Sequence, residues 1–115
     1  MLRGDIYLAD LDPAHDAEAN KRRPVVIVSN DGANTTAALA QRGVITVVPV
    51  TSNVANVYPF QVLLPRDEAG LDRDSKAQAE QVRSISVGRL ARQVGRLTPS
   101  LLERLDDALR LHLSL

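Results

Sequence analysis

Val25, Val26, Ile27 and Val28 are four apolar, β-branched residues in succession. Such a run fits a strand covered on both faces rather than a strand with one side in water. Arg22, Arg23 and Pro24 stand directly before it. Charges at a strand end are ordinarily just solvated. A stiff strand can also hold a guanidinium over a site, with Pro24 fixing its approach.

The remaining pattern gives more strands than helices. In GDIYLADLDP, Ile6, Leu8 and Leu11 alternate with Asp5, Asp10 and Asp12, and Pro13 ends the segment. A polar loop is predicted over residues 14–23, the second strand over residues 25–29, and NDGAN reads as turn chemistry after it. TTAALAQ (35–41) predicts a short helix that Gly43 stops. GVITVVPVT (43–51) predicts a third strand, with Pro49 marking an edge or a bulge. A fourth strand is expected over YPFQVLLP (58–65), followed by a solvated acidic loop in RDEAGLDRD. SKAQAEQVRSIS (75–86) predicts a fifth strand and RQVGRLT a short sixth. A helix closes the chain: Thr98 caps it, Pro99 suits its first position, and Leu101, Leu102, Leu105, Ala108, Leu109 and Leu113 make its apolar stripe. Five or six short strands and one long helix imply a mainly β, α+β fold, a small bent sheet or barrel with helical cover.

At 115 residues the chain is expected to form one domain, residues 1–115. No apolar run approaches the ~20 residues that cross a bilayer. The start, Met1-Leu2-Arg3-Gly4-Asp5, lacks the apolar stretch of a secretory signal, and a cytoplasmic location is expected. The absence of cysteine excludes disulfides and thiolate metal sites. Fourteen Lys and Arg balance fourteen Asp and Glu, but the charges are unevenly spread. Residues 1–20 set Arg3 against Asp5, Asp10, Asp12, Asp16 and Glu18, whereas residues 81–102 carry Arg83, Arg89, Arg92 and Arg96 and no acid. A neutral total can therefore contain a basic face.

Few conventional catalysts are available. Of the two histidines, His112 borders the helical stripe and reads as structural, and His15 lies in the polar loop. No Gly-rich phosphate cradle follows a strand, and no histidine pair has metal-ligand spacing, so neither a metal nor a cofactor is expected. RDEAGLDRD lacks the ordered alternation of a calcium loop. What remains is Arg23 before the second strand and Thr51 at the end of the third, each beside a buried run. Neighbouring strands running in opposite senses would keep the two apart. Parallel strands or a bent sheet would bring them to one concave mouth.

The order GDIYLADLDP, EANKRRPVVIVSND, VVPVTS, YPFQVLL and EQVRSI resembles the MazF/PemK family of toxin endoribonucleases, from Gly4 to Ile85 and on into the final helix. The resemblance implies an SH3-like barrel of the MazF/PemK/CcdB type, a homodimer, and metal-independent cleavage of single-stranded mRNA. It also implies a cognate MazE-like antitoxin whose acidic, disordered tail covers the site. On it, Arg23 matches the Arg of the family's R-P-[AV] motif and Thr51 the Thr after its third strand. Glu18 is the candidate general base, with His15 second. Many members read G-S-E-Q-x-G in that loop, whereas Asp16-Ala17-Glu18-Ala19-Asn20-Lys21 keeps the Glu without the Ser or the glycines. Ser52, Asn53, Glu80 and Gln81 offer hydrogen bonds for base edges, Tyr58, Pro59 and Phe60 a wall, and Lys21, Arg22 and Arg83 positive field. Tyr58 and Phe60 also alternate as core or interface residues of a strand. Two other functions are compatible with this fold: a gyrase-poisoning toxin of the CcdB type, and a non-catalytic RNA-binding module.

Overall fold

The computed structural model describes residues 1–11 and 22–115. Its elements run β1 (Asp5–Asp10), β2 (Arg22–Ile27), α1 (Asp31–Ala40), β3 (Val44–Thr51), β4 (Gln61–Leu64), α2 (Arg66–Ala69), β5 (Ser75–Gln78), β6 (Arg83–Ser86), β7 (Leu90–Arg96) and α3 (Pro99–Leu113). Single 3₁₀ turns, Ala79–Gln81 and Val87–Arg89, precede β6 and β7. The strands form one antiparallel sheet in the order β4-β5-β3-β2-β1-β7, with β6 also beside β3. The α+β class with a C-terminal helix therefore holds. The sheet is open, however: among the described residues no ladder joins β4 to β7.

The valine run does what its composition demands. Val26 packs with Ile6, Val48, Leu101 and Leu105 in one core, and Val25 and Ile27 pack with Ile45, Val47 and Ile85 in another. Alternate side chains of β2 thus enter different cores, which holds the strand from both sides. In α3 the cap forms as expected, the Leu101 amide donating to Thr98 Oγ1 at 3.2 Å. Leu101, Leu105 and Ala108 are buried and Leu102 and Leu109 half-buried, but Leu113 is exposed and His112 is exposed rather than structural. Among the described residues no helix is long and apolar enough to cross a membrane.

Several boundaries differ from those expected, each for a local reason. β2 begins at Arg22, so both arginines are strand residues, opposite Asp10 and Ala9 of β1. α1 starts four residues earlier than TTAALAQ because Asn30 caps it, its side chain accepting from the Ala33 amide at 2.8 Å. Turn chemistry and helix N-cap chemistry use the same residues. The acidic loop contains one helical turn, α2, which Gly70 ends at φ +76°. β4 takes only Gln61–Leu64, and Tyr58 and Phe60 lie outside it with rings stacked at 5.5 Å and 7°.

Two prolines explain the sheet's irregularities. The Val28 amide donates to Thr46 O at 2.9 Å, so the pairs Val26↔Val48 and, in register, Pro24 with Val50 are the hydrogen-bonding ones. Pro24 has no N–H to give, and the β2–β3 ladder stops at Val25↔Pro49. Pro49 then faces the other side of β3, where Val44–Val47 pair with β6 and Val50–Thr51 pair with β5. It is neither at an edge nor in a bulge; it occupies the gap between two strands that share one side of β3. The single strand expected over residues 75–86 is therefore two, separated by the 3₁₀ turn.

Burial, and secondly the Asp5 carboxylate, raise the pKa of Tyr7 above the ordinary tyrosine value of about 10. The folded state holds that proton more tightly than the unfolded chain does. Its contribution is complete below about pH 10 and is lost as pH rises through the folded value. Tyr7→Phe is expected to flatten this alkaline loss, read as Tm between about pH 9 and 11.

Candidate functional site

Where β2 and β3 part, a cleft of about 550 Å³ opens, within the usual range for ligand sites. Leu8 of β1, Arg22, Arg23 and Pro24 of β2, and Val50, Thr51 and Ser52 line one part of it. Gly70, Leu71, Asp72, Arg73 and Ser75 come from the α2–β5 region, and Arg92, Gln93 and Val94 from β7. Arg23 and Thr51 therefore share one mouth. They do so because the strands are antiparallel, contrary to the expectation that opposite senses would separate them. In an antiparallel pair the start of one strand lies beside the end of the other, as Val25↔Pro49 shows. The missing Pro24 N–H then leaves Arg22 and Arg23 on β1 while Thr51 pairs with Lys76 of β5.

Arg22 and Arg23 are exposed and, among the described residues, carry no ion pair. The Thr51 hydroxyl oxygen accepts from the Asn53 amide at 3.2 Å, and its own O–H has no acceptor among the described residues and can donate. Ser52 is exposed beside it. Among the described residues that line the cleft, four are arginines and one, Asp72, carries a carboxylate.

The other expected site residues lie elsewhere. Asn53 caps its own turn, accepting from the Ala55 amide at 3.3 Å. Glu80 Oε2 accepts from Gln61 Nε2 at 2.8 Å, Gln81 sits on the adjacent 3₁₀ turn, and Pro59 is exposed in the turn before β4. Arg83 reaches the Leu11 carbonyl at 3.5 Å, Arg89 the Asp10 carbonyl at 3.2 Å, and Arg96 pairs with buried Asp5 at 2.9 Å. Of the basic run from Arg83 to Arg96, Arg92 alone lines the cleft. His15, Glu18 and Lys21 lie outside the described residues.

The family model of PemK-like, MazF-like toxins of type II toxin–antitoxin systems matches residues 2–113. The chain belongs to this toxin family. It is 61% identical to Endoribonuclease MazF9 of Mycobacterium tuberculosis over 115 residues, which is all of this chain and 98% of that one. It is 32% identical to Endoribonuclease EndoA of Bacillus subtilis, over all of this chain and 96% of that one. A mycobacterial endoribonuclease solved with its cognate antitoxin has the same fold, with a TM-score of 0.79 at 23% identity over 100% of this chain and 96% of that one.

Apart from Arg92, which belongs to the basic run of residues 81–102, the toxin's cleft also contains residues that the sequence did not single out. Asp72, Arg73 and Ser75 sit in or beside what reads as a solvated acidic turn. Arg92, Gln93 and Val94 are consecutive, yet all three line the cleft. Strict alternation on a strand would turn the middle one away. The β1–β7 register slips twice, Ile6↔Gly95 being followed by Tyr7↔Gln93 and then Ala9↔Leu90. Two bulges in β7 fall at these residues, and no residue pattern announces them.

Gly95 brings the two regions together. A Cβ there would lie 2.2 Å from the Ala69 carbonyl oxygen, so only glycine lets the end of α2 seat against β7. That seat carries the Gly70–Arg73 segment to the β7 side of the cleft.

Proposed function

We propose that the toxin, an endoribonuclease like its named relatives, cuts single-stranded mRNA in this cleft using the substrate's own 2′-OH. The general base, for which Glu18 is our candidate, takes the 2′-OH proton as the 2′-oxygen bonds to the adjacent phosphorus. The P–O5′ bond breaks and the leaving oxygen takes up a proton, giving a 2′,3′-cyclic phosphate and a 5′-OH. An intramolecular nucleophile makes alignment a large part of the rate, and the route needs no metal. Arg23 supplies paired donors to the non-bridging oxygens as negative charge grows, and the Thr51 O–H fixes the same phosphate. Unpaired RNA is the substrate because only an unpaired strand reaches in-line geometry and exposes its bases.

What supports this reading is the meeting of Arg23 and Thr51 in one cleft, with guanidinium groups around it that carry no ion pair among the described residues. A gyrase poison or a binding module has no need of that pair. The toxin acts in the cytoplasm on this reading, as a homodimer, and a cognate antitoxin with an acidic segment blocks the cleft. The test is incubation of a long single-stranded RNA with purified protein in EDTA, beside Arg23→Ala. Discrete fragments with 5′-OH ends, absent from the variant, support the reading. Intact RNA across many sequences, from well-folded protein, overturns it.

A further inference from the structure

We propose that Arg73 and Arg92 form a second phosphate-binding position in this cleft, holding the backbone phosphate next to the one that is cut. The inference rests on the nuclease reading and extends it to the flanking strand of the substrate. Both side chains line the cleft that contains Arg22, Arg23 and Thr51. Both are exposed, and among the described residues neither makes a hydrogen bond or an ion pair. Acids are not scarce in this chain, which has fourteen of them for fourteen bases. Among the described residues Arg3, Arg66, Arg96 and Arg110 each have a carboxylate partner, whereas Arg73 and Arg92, like Arg42 and Arg104, have none.

Two separate structural features place this pair. Arg92 lies at the β7 bulges and lines the cleft beside Gln93 and Val94. The close seat of Ala69 on Gly95 carries the Arg73 segment to the same side. Along the sheet, Arg92 is level with Leu8, which is opposite Pro24, the residue after Arg23. Arg92 is therefore two strands away from Arg23 in the same cleft, and Arg73 lines that cleft from the α2–β5 segment. Guanidinium groups suit that role because they stay charged and fork onto phosphate oxygens. Neither residue touches the reacting atoms, so both are positioning residues.

The experiment has two readouts. Affinity is measured for a short 2′-O-methyl RNA, which cannot be cut, across a salt series. KM and kcat are measured on cleavable RNA. Each phosphate contact on a single strand adds about 0.7 to the slope of log affinity against log salt. The double variant Arg73→Ala with Arg92→Ala, which empties that one position, is expected to reduce the slope by about 0.7 and to raise KM on the order of tenfold, each single variant less, with the effect on KM rather than kcat. Arg92→Lys restores the slope, because counterion release counts charge. Arg104→Ala, on the exposed face of α3, leaves it unchanged. Both substituted side chains are exposed, so the fold tolerates their truncation.

Unchanged slope and KM in the double variant overturn the proposal, as does a fall in kcat with KM unchanged, which would mark a merely distorted cleft. Weakened binding of a polyglutamate peptide with RNA binding intact also overturns it, by assigning the arginines to an acidic protein partner. If the unmodified toxin cuts no RNA, the nuclease reading fails by itself, and the salt slopes still report whether the two arginines hold phosphates.

Discussion

Arg23→Ala is expected to lower the rate of RNA cleavage by about 10²–10³ at saturating substrate, the usual loss when one donor to a developing oxyanion is removed. The β2 backbone should not move, because Val25, Val26 and Ile27 hold it between two cores and Arg23 is exposed. Far-UV circular dichroism and Tm should therefore match the unmodified protein. Arg23→Lys separates charge from geometry. A lysine keeps the field but not the planar fork, so RNA binding survives and most of the cleavage defect remains. Full activity in Arg23→Lys would show that Arg23 supplies positive potential alone, and the paired-donor role would have to be given up.

Gly95→Ala is expected to damage stability and the site together. Its Cβ would meet a backbone oxygen at 2.2 Å, and no flexible side-chain end is there to give way. α2 has to move off β7, at a cost of about 1–3 kcal/mol for forced overpacking, or roughly 4–12 °C in Tm for a domain of this size. The displaced segment carries Gly70, Leu71, Asp72 and Arg73, all cleft residues, so KM should rise in the fraction that remains folded. Gly88→Ala is the internal control. Its nearest neighbour would be Ser86 Oγ at 3.8 Å, an ordinary contact, and its Tm should barely change. Equal Tm values for the two variants would show that the α2–β7 seat does not constrain the fold.

How far the sequence discloses this structure depends on whether a feature is local. Val25, Val26, Ile27 and Val28 state their two-sided burial outright, and Thr98-Pro99 states the start of α3, because periodicity and capping act within a few residues. The Arg23 and Thr51 pair was legible as two polar groups at the ends of apolar runs. Their meeting depended on strand direction, which neither segment encodes alone. The strand expected over residues 75–86 shows the same limit: its alternation is real, but its division into β5 and β6 is set by Pro49 on another strand. Arg73 was hidden most completely, and Arg92 was legible only as one of a basic run, not as a cleft residue. One sits in a turn that composition describes as solvated, and the other lies at bulges defined only against β1.

The division of β3 between two partners has a dynamic consequence. β5 is attached to β3 by only Val50↔Ala77 and Thr51↔Lys76, whereas β6 has four pairs and β2 three. The β4–β5 arm shares one core with Val26 and Val48 through Val62, Leu64 and Ala77, but this short ladder is the weakest joint of β3 and is expected to open below the free energy of global unfolding. In hydrogen exchange the amides of Val26 and Val48 should exchange only through complete unfolding, and that of Ala77 earlier, through sub-global opening. Arg23 and Thr51 stand on one side of this seam, and Ser75 and Arg73 on or beyond the other. A bound strand of RNA spans the seam, so its affinity should appear as selective slowing of exchange in the β4–β5 arm.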